Sequence, residues 1–168
     1  MNKTAPKSFP AYYNYYIELS EGELVDSLIK AHDTTQVILT RISEKQAMHS
    51  YALGKWTIKE IVQHLIDSER IYTYRALRFA RQDASELSGF EQDDYAAVAE
   101  GNRRTMADLA HEFAMVRNAT IALFESFTPA MLEKEGIANK SQVTVGSIGR
   151  VCVGHEIHHM NVIKAKYL

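Results

Sequence analysis

The chain has 168 residues, 46% hydrophobic and 24% charged, with a formal net charge of −2: enough for one domain with a substantial core, and too evenly mixed in sign for the basic stripe that a nucleic-acid backbone or an anionic membrane needs. No run approaches the roughly 18 apolar residues of a spanning helix, and the opening MNKTAPKSFPAYYNYY lacks the apolar centre of a signal peptide, so a cytoplasmic location without membrane or nucleic-acid partners is expected. Cys152 is the sole cysteine, which excludes an internal disulfide and a multi-cysteine zinc site and leaves any metal to histidine and carboxylate.

Residues 1–19 contain Pro6, Pro10 and a tyrosine cluster (Tyr12, Tyr13, Tyr15, Tyr16) and read as an extended amino-terminal strap packed on by its aromatics rather than as a helix. From Ser20, with capping-box spacing to Glu23, apolar residues recur at helical intervals (Leu24, Leu28, Ile29, Val37, Ile38, Ile42) and predict a first long helix to about Ser43. Thr57, with Glu60 three residues on, opens a second helix of roughly seven turns to about Gln82. Residues 84–104, with Gly89, Gly101 and the acidic EQDD, make a connection much longer than the usual bundle loop of about 2–8 residues, around a short helical piece at 95–99. Such a crossover lets two successive helices run parallel. Thr105, followed by Asp108, opens a third helix to about Phe127, closed by Thr128-Pro129, and Thr144 or Ser147 opens a fourth that nearly reaches Leu168. Four long helices without a convincing strand predict an all-α, up-down-down-up four-helix bundle, with residues 1–168 as one domain.

The last helix carries three histidines in the run VCVGHEIHHMNVIKAKYL. At about 100° per residue, the mean direction of Ile148, Val151, Cys152, Val162 and Ile163 passes between His155 and His159, while His158 falls on the flank. An i, i+4 pair brings two imidazoles within reach of one ion, although two buried histidines that merely bond to the backbone have the same spacing. In the second helix, His64 shares a strip with Asp67, Ser68, Ile71, Arg75 and Arg78, apart from the apolar face of Ile58, Val62, Leu65, Ile66 and Ala76. That strip is either a solvated surface or the lining of a pocket where histidines from facing helices meet.

At these residues the chain resembles the DinB/YfiT-like superfamily of four-helix-bundle metalloenzymes, and the resemblance spans nearly its whole length. KWTIKEIVQHLIDSE is similar to the family's W-[ST]-x-x-[DE]-x-x-x-H-[LI]-x-[DE] helix start, YRALRFARQDASELSGFEQDDY to its crossover, and GHEIHHMNVI to its closing H-x-x-x-H helix. Here HEIHHMN departs from the HxxYHRGQ ending of many relatives. The resemblance implies His64, His155 and His159 as ligands of a divalent metal, zinc or nickel foremost and iron also suited. It further implies a homodimer and an enzyme that activates a low-molecular-weight thiol, or water, for transfer or hydrolysis of a small-molecule substrate. The competing expectation is a non-catalytic metal-binding or stress-associated bundle.

Among the remaining groups, Asp67 is the candidate for orienting a ligand or moving a proton, with Glu60 a lesser one. His158 is expected to pack at the helix flank or at a subunit contact, and Cys152 to be a small core residue. Arg75 and Arg78 are candidate anchors for the carboxylate of a substrate, but Arg75, eleven residues beyond His64, is about 16 Å away along the helix and suits only the far end of a long substrate such as a peptide thiol. His32, His49 and His111 fall in no constellation.

Overall fold

The computed structural model describes residues 11–168. Four long helices carry the fold: α2 (Leu24–Leu39), α4 (Ile58–Ala80), α6 (Met106–Glu125) and α8 (Val145–Lys166). Shorter helices flank them: α1 (Ala11–Leu19), α3 (Glu44–Ala47), α5 (Gln92–Val98) and α7 (Pro129–Leu132). No helix among the described residues is long and apolar enough to cross a membrane.

The starts of α4, α6 and α8 fall where the sequence places them, because side chains there satisfy amides that have no partner inside the helix. Thr57 Oγ1 accepts from the Glu60 amide at 3.2 Å while Glu60 accepts from the Thr57 amide at 2.7 Å. Thr144 and Ser147 repeat this exchange at 3.0 Å in both directions, and Thr105 caps α6 through the Asp108 amide at 3.1 Å.

The first long helix differs from expectation at both ends. Its N-cap is Glu23, which makes no side-chain capping bond; the Ser27 hydroxyl instead donates back to the Glu23 carbonyl at 2.7 Å, and Ser20 is buried beneath Arg150. It ends at Leu39 because Ser43 and Gln46 form a capping box that starts the separate α3.

The expected strap is helical over its described part. Residues 1–10, with Pro6 and Pro10, lie outside the described residues, and α1 takes up the stretch described after them. The run AYYNYYIEL contains no breaker and places Tyr13 and Ile17 one turn apart, both buried. Aromatic packing does hold the segment, and α1 lies along α8. Gly154 permits the approach: a Cβ there would stand 1.8 Å from the Tyr16 carbonyl oxygen.

The structure also contains a strand pair, where the sequence predicts none. β1 (Glu135–Ala138) and β2 (Ser141–Thr144) form an antiparallel hairpin in which Ala138 pairs with Ser141. Its two-residue turn, Asn139-Lys140, has φ of 50° and 61°, the left-handed pair of a type I′ turn. Four-residue strands hold too few alternations to register as a period of two. Gly136 is required where the hairpin crosses α4, since a Cβ would lie 2.1 Å from the Phe79 ring.

The helix directions follow from contacts along their lengths. Leu28 meets Arg117 while Gln36 meets Ala110, so α2 and α6 are antiparallel. Gln63 meets Arg104 and Glu69 meets Arg117, so α4 and the segment leading through α6 run the same way. His64 meets His159 while Tyr72 meets His155, so α4 and α8 are antiparallel. The order is up-down-down-up, with the crossover between α4 and α6 as expected.

Apolar packing is divided lengthwise. One cluster gathers Leu28, Phe79, Phe124, Ile148 and Val151, and the other Ile58, Leu65, Phe113, Met160 and Ile163. Between them lies a layer of buried polar side chains: His64, Ser68 and Glu69 from α4, Arg117 from α6, and His155 and Glu156 from α8. Interior polar groups cost stability unless they are partnered, so the partners of this layer show what it is for.

Candidate metal centre

His64 and His155 reach this layer from antiparallel helices, and His159 follows one turn after His155. The three ligand-type nitrogens lie within 4.8 Å of one another. His155 Nε2 is 3.0 Å from His64 Nε2 and 3.1 Å from His159 Nε2. His64 and His155 are buried and His159 is partly so. Trp56 packs on His64 with ring centroids 4.9 Å apart, and Tyr16 and Tyr72 stand 5.2 and 5.8 Å from His155.

Burial pushes His64 down to about 4 and His159 to about 3, the latter with help from His64. It also holds His155 well below the ordinary imidazole value, and the neighbouring imidazoles lower it further. All three rings are therefore neutral near pH 7.

Neutral rings cannot satisfy one another in this arrangement. The in-plane position of an imidazole nitrogen holds either one proton or one lone pair, so His155 Nε2 can make one good hydrogen bond and not the two that its neighbours call for. A cation receives all three lone pairs at once. Two nitrogens about 2.1 Å from one ion stand about 3.0 Å apart at a right angle and about 3.4 Å apart at a tetrahedral angle, so the two separations at His155, 3.0 and 3.1 Å, fit a pair of ligands on a divalent ion.

The polar strip of α4 divides between interior and surface. His64, Ser68 and Arg75 are buried, whereas Arg78 pairs with Asp83 and Tyr74 at the helix end. Asp67 accepts from Gln63 at 3.0 Å and faces Arg70, Arg104 and Glu112, and burial raises its pKa. The polar neighbour of His64 Nδ1 is the Ser68 hydroxyl at 3.4 Å. Ser68 thus occupies the place that the sequence suggested for Asp67, and Glu60 is used as a cap. His158 packs against the Tyr15 and Tyr16 rings, and burial alone lowers its pKa. Cys152 is a core residue whose thiol is pushed up by burial.

Behind the histidines, Arg117 is fully buried and donates to both Glu69 oxygens at 2.7 Å, to Glu156 and to the Leu28 carbonyl. Burial alone would lower its pKa, but the two carboxylates outweigh that and hold it above the usual arginine value. Glu69 and Glu156 belong to the helices that carry His64 and His155, so one guanidinium fastens both at the level of the site. The sequence did contain a signal for this cluster: Arg117 follows Phe113 and Glu156 follows Cys152 by one turn, each interrupting an apolar stripe.

Two clefts reach the histidines. One, of about 410 Å³, is lined by Tyr13, Tyr16, Tyr72, Arg75, Phe90 and His155, among others. The second, of about 380 Å³, has Tyr51, Trp56, His158, His159 and Tyr167 in its walls. Gln92 of α5 lines both, so the crossover helix stands between them.

No curated protein matches the chain significantly. The fold is similar to that of YfiT from Bacillus subtilis, described as "a probable metal-dependent hydrolase with an unusual four-helix bundle topology", with a TM-score of 0.69 and 16% identity over 98% of this chain and 91% of that one. The family model of the DinB superfamily matches residues 27–163, a span that runs from the first turn of α2 to the last turn of α8 and includes the three histidines, and the chain belongs to that superfamily.

Proposed function

We propose that the chain, acting as a single-domain protein and as a homodimer, is a divalent-metal-dependent enzyme in which His64, His155 and His159 hold the ion. The reaction is transfer or hydrolysis on a small molecule, with a low-molecular-weight thiol or water as the activated nucleophile. The observation that carries this reading is the convergence of three neutral imidazole nitrogens that cannot satisfy each other, with one cleft at His155 and another at His159. The metal dependence of YfiT, as described for that protein, accords with it.

A divalent ion held by His64, His155 and His159 would supply Lewis acidity that lowers the pKa of a bound water or thiol toward neutrality, so that no strong protein base would be needed. The chain's own part is to keep the ligands neutral, oriented and dry. Burial keeps protons off the imidazoles at neutral pH. The Trp56, Tyr16 and Tyr72 rings wall the site and restrict water, and Ser68 steadies the ring of His64. Zinc and nickel both suit an all-histidine donor set, and iron is compatible with it.

The test is metal analysis of the purified protein beside the variants His64→Ala, His155→Ala and His159→Ala. One equivalent of metal is expected in the wild type and a loss in each variant; full occupancy in all three would refute the ligand set. Incubation of metal-loaded protein with glutathione, bacillithiol, mycothiol or coenzyme A and a chlorinated or maleyl electrophile, beside ester substrates without thiol, separates transfer from hydrolysis. Turnover with neither would favour a metal-binding protein without catalysis.

A further inference from the structure

The cleft beside His155 contains a cation whose charge the fold does not neutralise. Arg75 is 4% exposed and donates to the Ser88 carbonyl at 2.7 Å, with its guanidinium 6.0 Å from the Phe90 ring centroid. No ion pair of Arg75 exists among the described residues, and residues 1–12 contain no acid that could supply one. Arg117, buried to a similar degree, engages two carboxylates. A buried charge without a counter-charge is costly, and holding Ser88 requires only one of the five donors of an arginine. Arg75 is in the wall of the 410 Å³ cleft that His155 also lines.

We propose that this cleft is a substrate subsite in which Arg75 binds a carboxylate, with the body of the substrate lying along the tyrosines toward His155. The proposal names a substrate class for the metal site and in that respect rests on the function proposed above. The rest of the lining selects for a carboxylate. Tyr13, Tyr16, Tyr72 and Phe90 offer aromatic surface to an apolar or aromatic body. Glu91 also lines the cleft but is exposed and makes no ion pair with Arg75, so one buried guanidinium is left for one carboxylate, and the second negative charge of a phosphate dianion would meet no cation. Although Arg75 is far from His64 along α4, Tyr72 already touches the ring of His155, so packing of α4 against α8 brings Arg75 into a cleft shared with a ligand.

Calorimetric titration with 3-phenylpropionate, its amide and inorganic phosphate, on metal-free and on zinc-loaded protein, tests the subsite. The acid is expected to bind the metal-free wild type at least about tenfold more tightly than the amide. Arg75→Gln should abolish that preference and Arg75→Lys should retain part of it, both with metal stoichiometry unchanged. As a check on the unaltered chain, the Arg75 Nε–H resonance, assigned by its loss in Arg75→Lys, should move with the acid and not with the amide. Undetectable binding of the acid, equal affinity for acid and amide, tighter binding of phosphate, or an acid preference that survives in Arg75→Gln would each overturn the proposal. Because the metal-free measurement does not involve the histidines, a protein that binds the acid and no metal would refute the metal reading alone, and one that binds metal and no acid would refute the subsite alone.

Discussion

The polar layer in the middle of the bundle has two halves that the chain completes to different degrees. In the ionic half, Arg117 meets Glu69, Glu156 and a backbone carbonyl, and only Glu156 Oε1 lacks a hydrogen-bond partner at close range. In the imidazole half, three neutral rings face one another with one more contact than their protons can serve. Both halves are buried between the same apolar clusters and both join α4 to α8. The ionic half supplies its own counter-charges and holds the helices together; the imidazole half leaves His155 Nε2 with a contact that no proton serves, which is the place proposed for an ion. Completeness of partners, more than burial or polarity, separates a structural cluster from a binding one.

The largest effect should come from breaking the complete half. Arg117→Met leaves Glu69 and Glu156 buried without a cation and should cost about 3–5 kcal/mol in urea denaturation. Replacing the two acids by leucine in the same chain should restore much of that loss, and a single-variant loss below about 1 kcal/mol would remove the distinction between the halves. Next comes the missing partner itself: zinc at a hundred times its dissociation constant should stabilise the wild type by about 2.7 kcal/mol. His155→Ala should abolish this gain, and an equal gain in that variant would mean that the ion binds elsewhere.

A smaller effect is the pH dependence of the metal-free protein. His64 and His159 titrate near 4 and 3 in the fold and near 6.5 when unfolded. Below pH 6.5 the unfolded chain therefore takes up protons that the fold refuses, and stability falls as the pH drops toward 4. The slope should be on the order of 1 kcal/mol per pH unit for each histidine, read as the difference between the wild type and a His64→Gln/His159→Gln variant. Parallel stability curves for the two proteins would mean that the rings are solvated. Smallest of all, Ser68→Ala removes a contact of 3.4 Å and should weaken zinc binding by about threefold, below the usual effect of a ligand-orienting partner. A loss beyond a hundredfold would show that Ser68 ligates directly.

Much of this was legible in the sequence because it depends on period and spacing. Helix phase alone placed His155 and His159 on the buried side and His158 off it, and the caps at Thr57, Thr105 and Thr144 fell on their predicted residues. The family resemblance joined His64 to the pair, which helical wheels drawn separately for each helix could not do. What remained hidden depends on distance across the fold. Nothing local distinguishes Asp67 from Ser68 as the neighbour of His64, because both lie within a turn and only the rotation of α4 against α6 and α8 decides between them. The pairing of Arg117 with two acids on other helices is likewise a property of packing, as is the reach of Arg75 to the cleft of His155. The tyrosine-rich segment reads as a strap because of Pro6 and Pro10, both of which precede the stretch that is helical, Ala11–Leu19.

Gly154 has a bearing on how sequences with this fold can diversify. It precedes His155, and the absence of its side chain lets the backbone of α1 rest on α8 and bring Tyr16 to the wall of the site. A methyl group at this position would push away a stretch of main chain, which cannot rotate aside as a side chain can. The width of the cleft is therefore set by a residue that binds nothing, and a change there alters the size of molecule admitted while every ligand stays in place. Under the proposed function, selectivity and metal chemistry are altered independently in this way, one through the seam between two helices and the other through the rings.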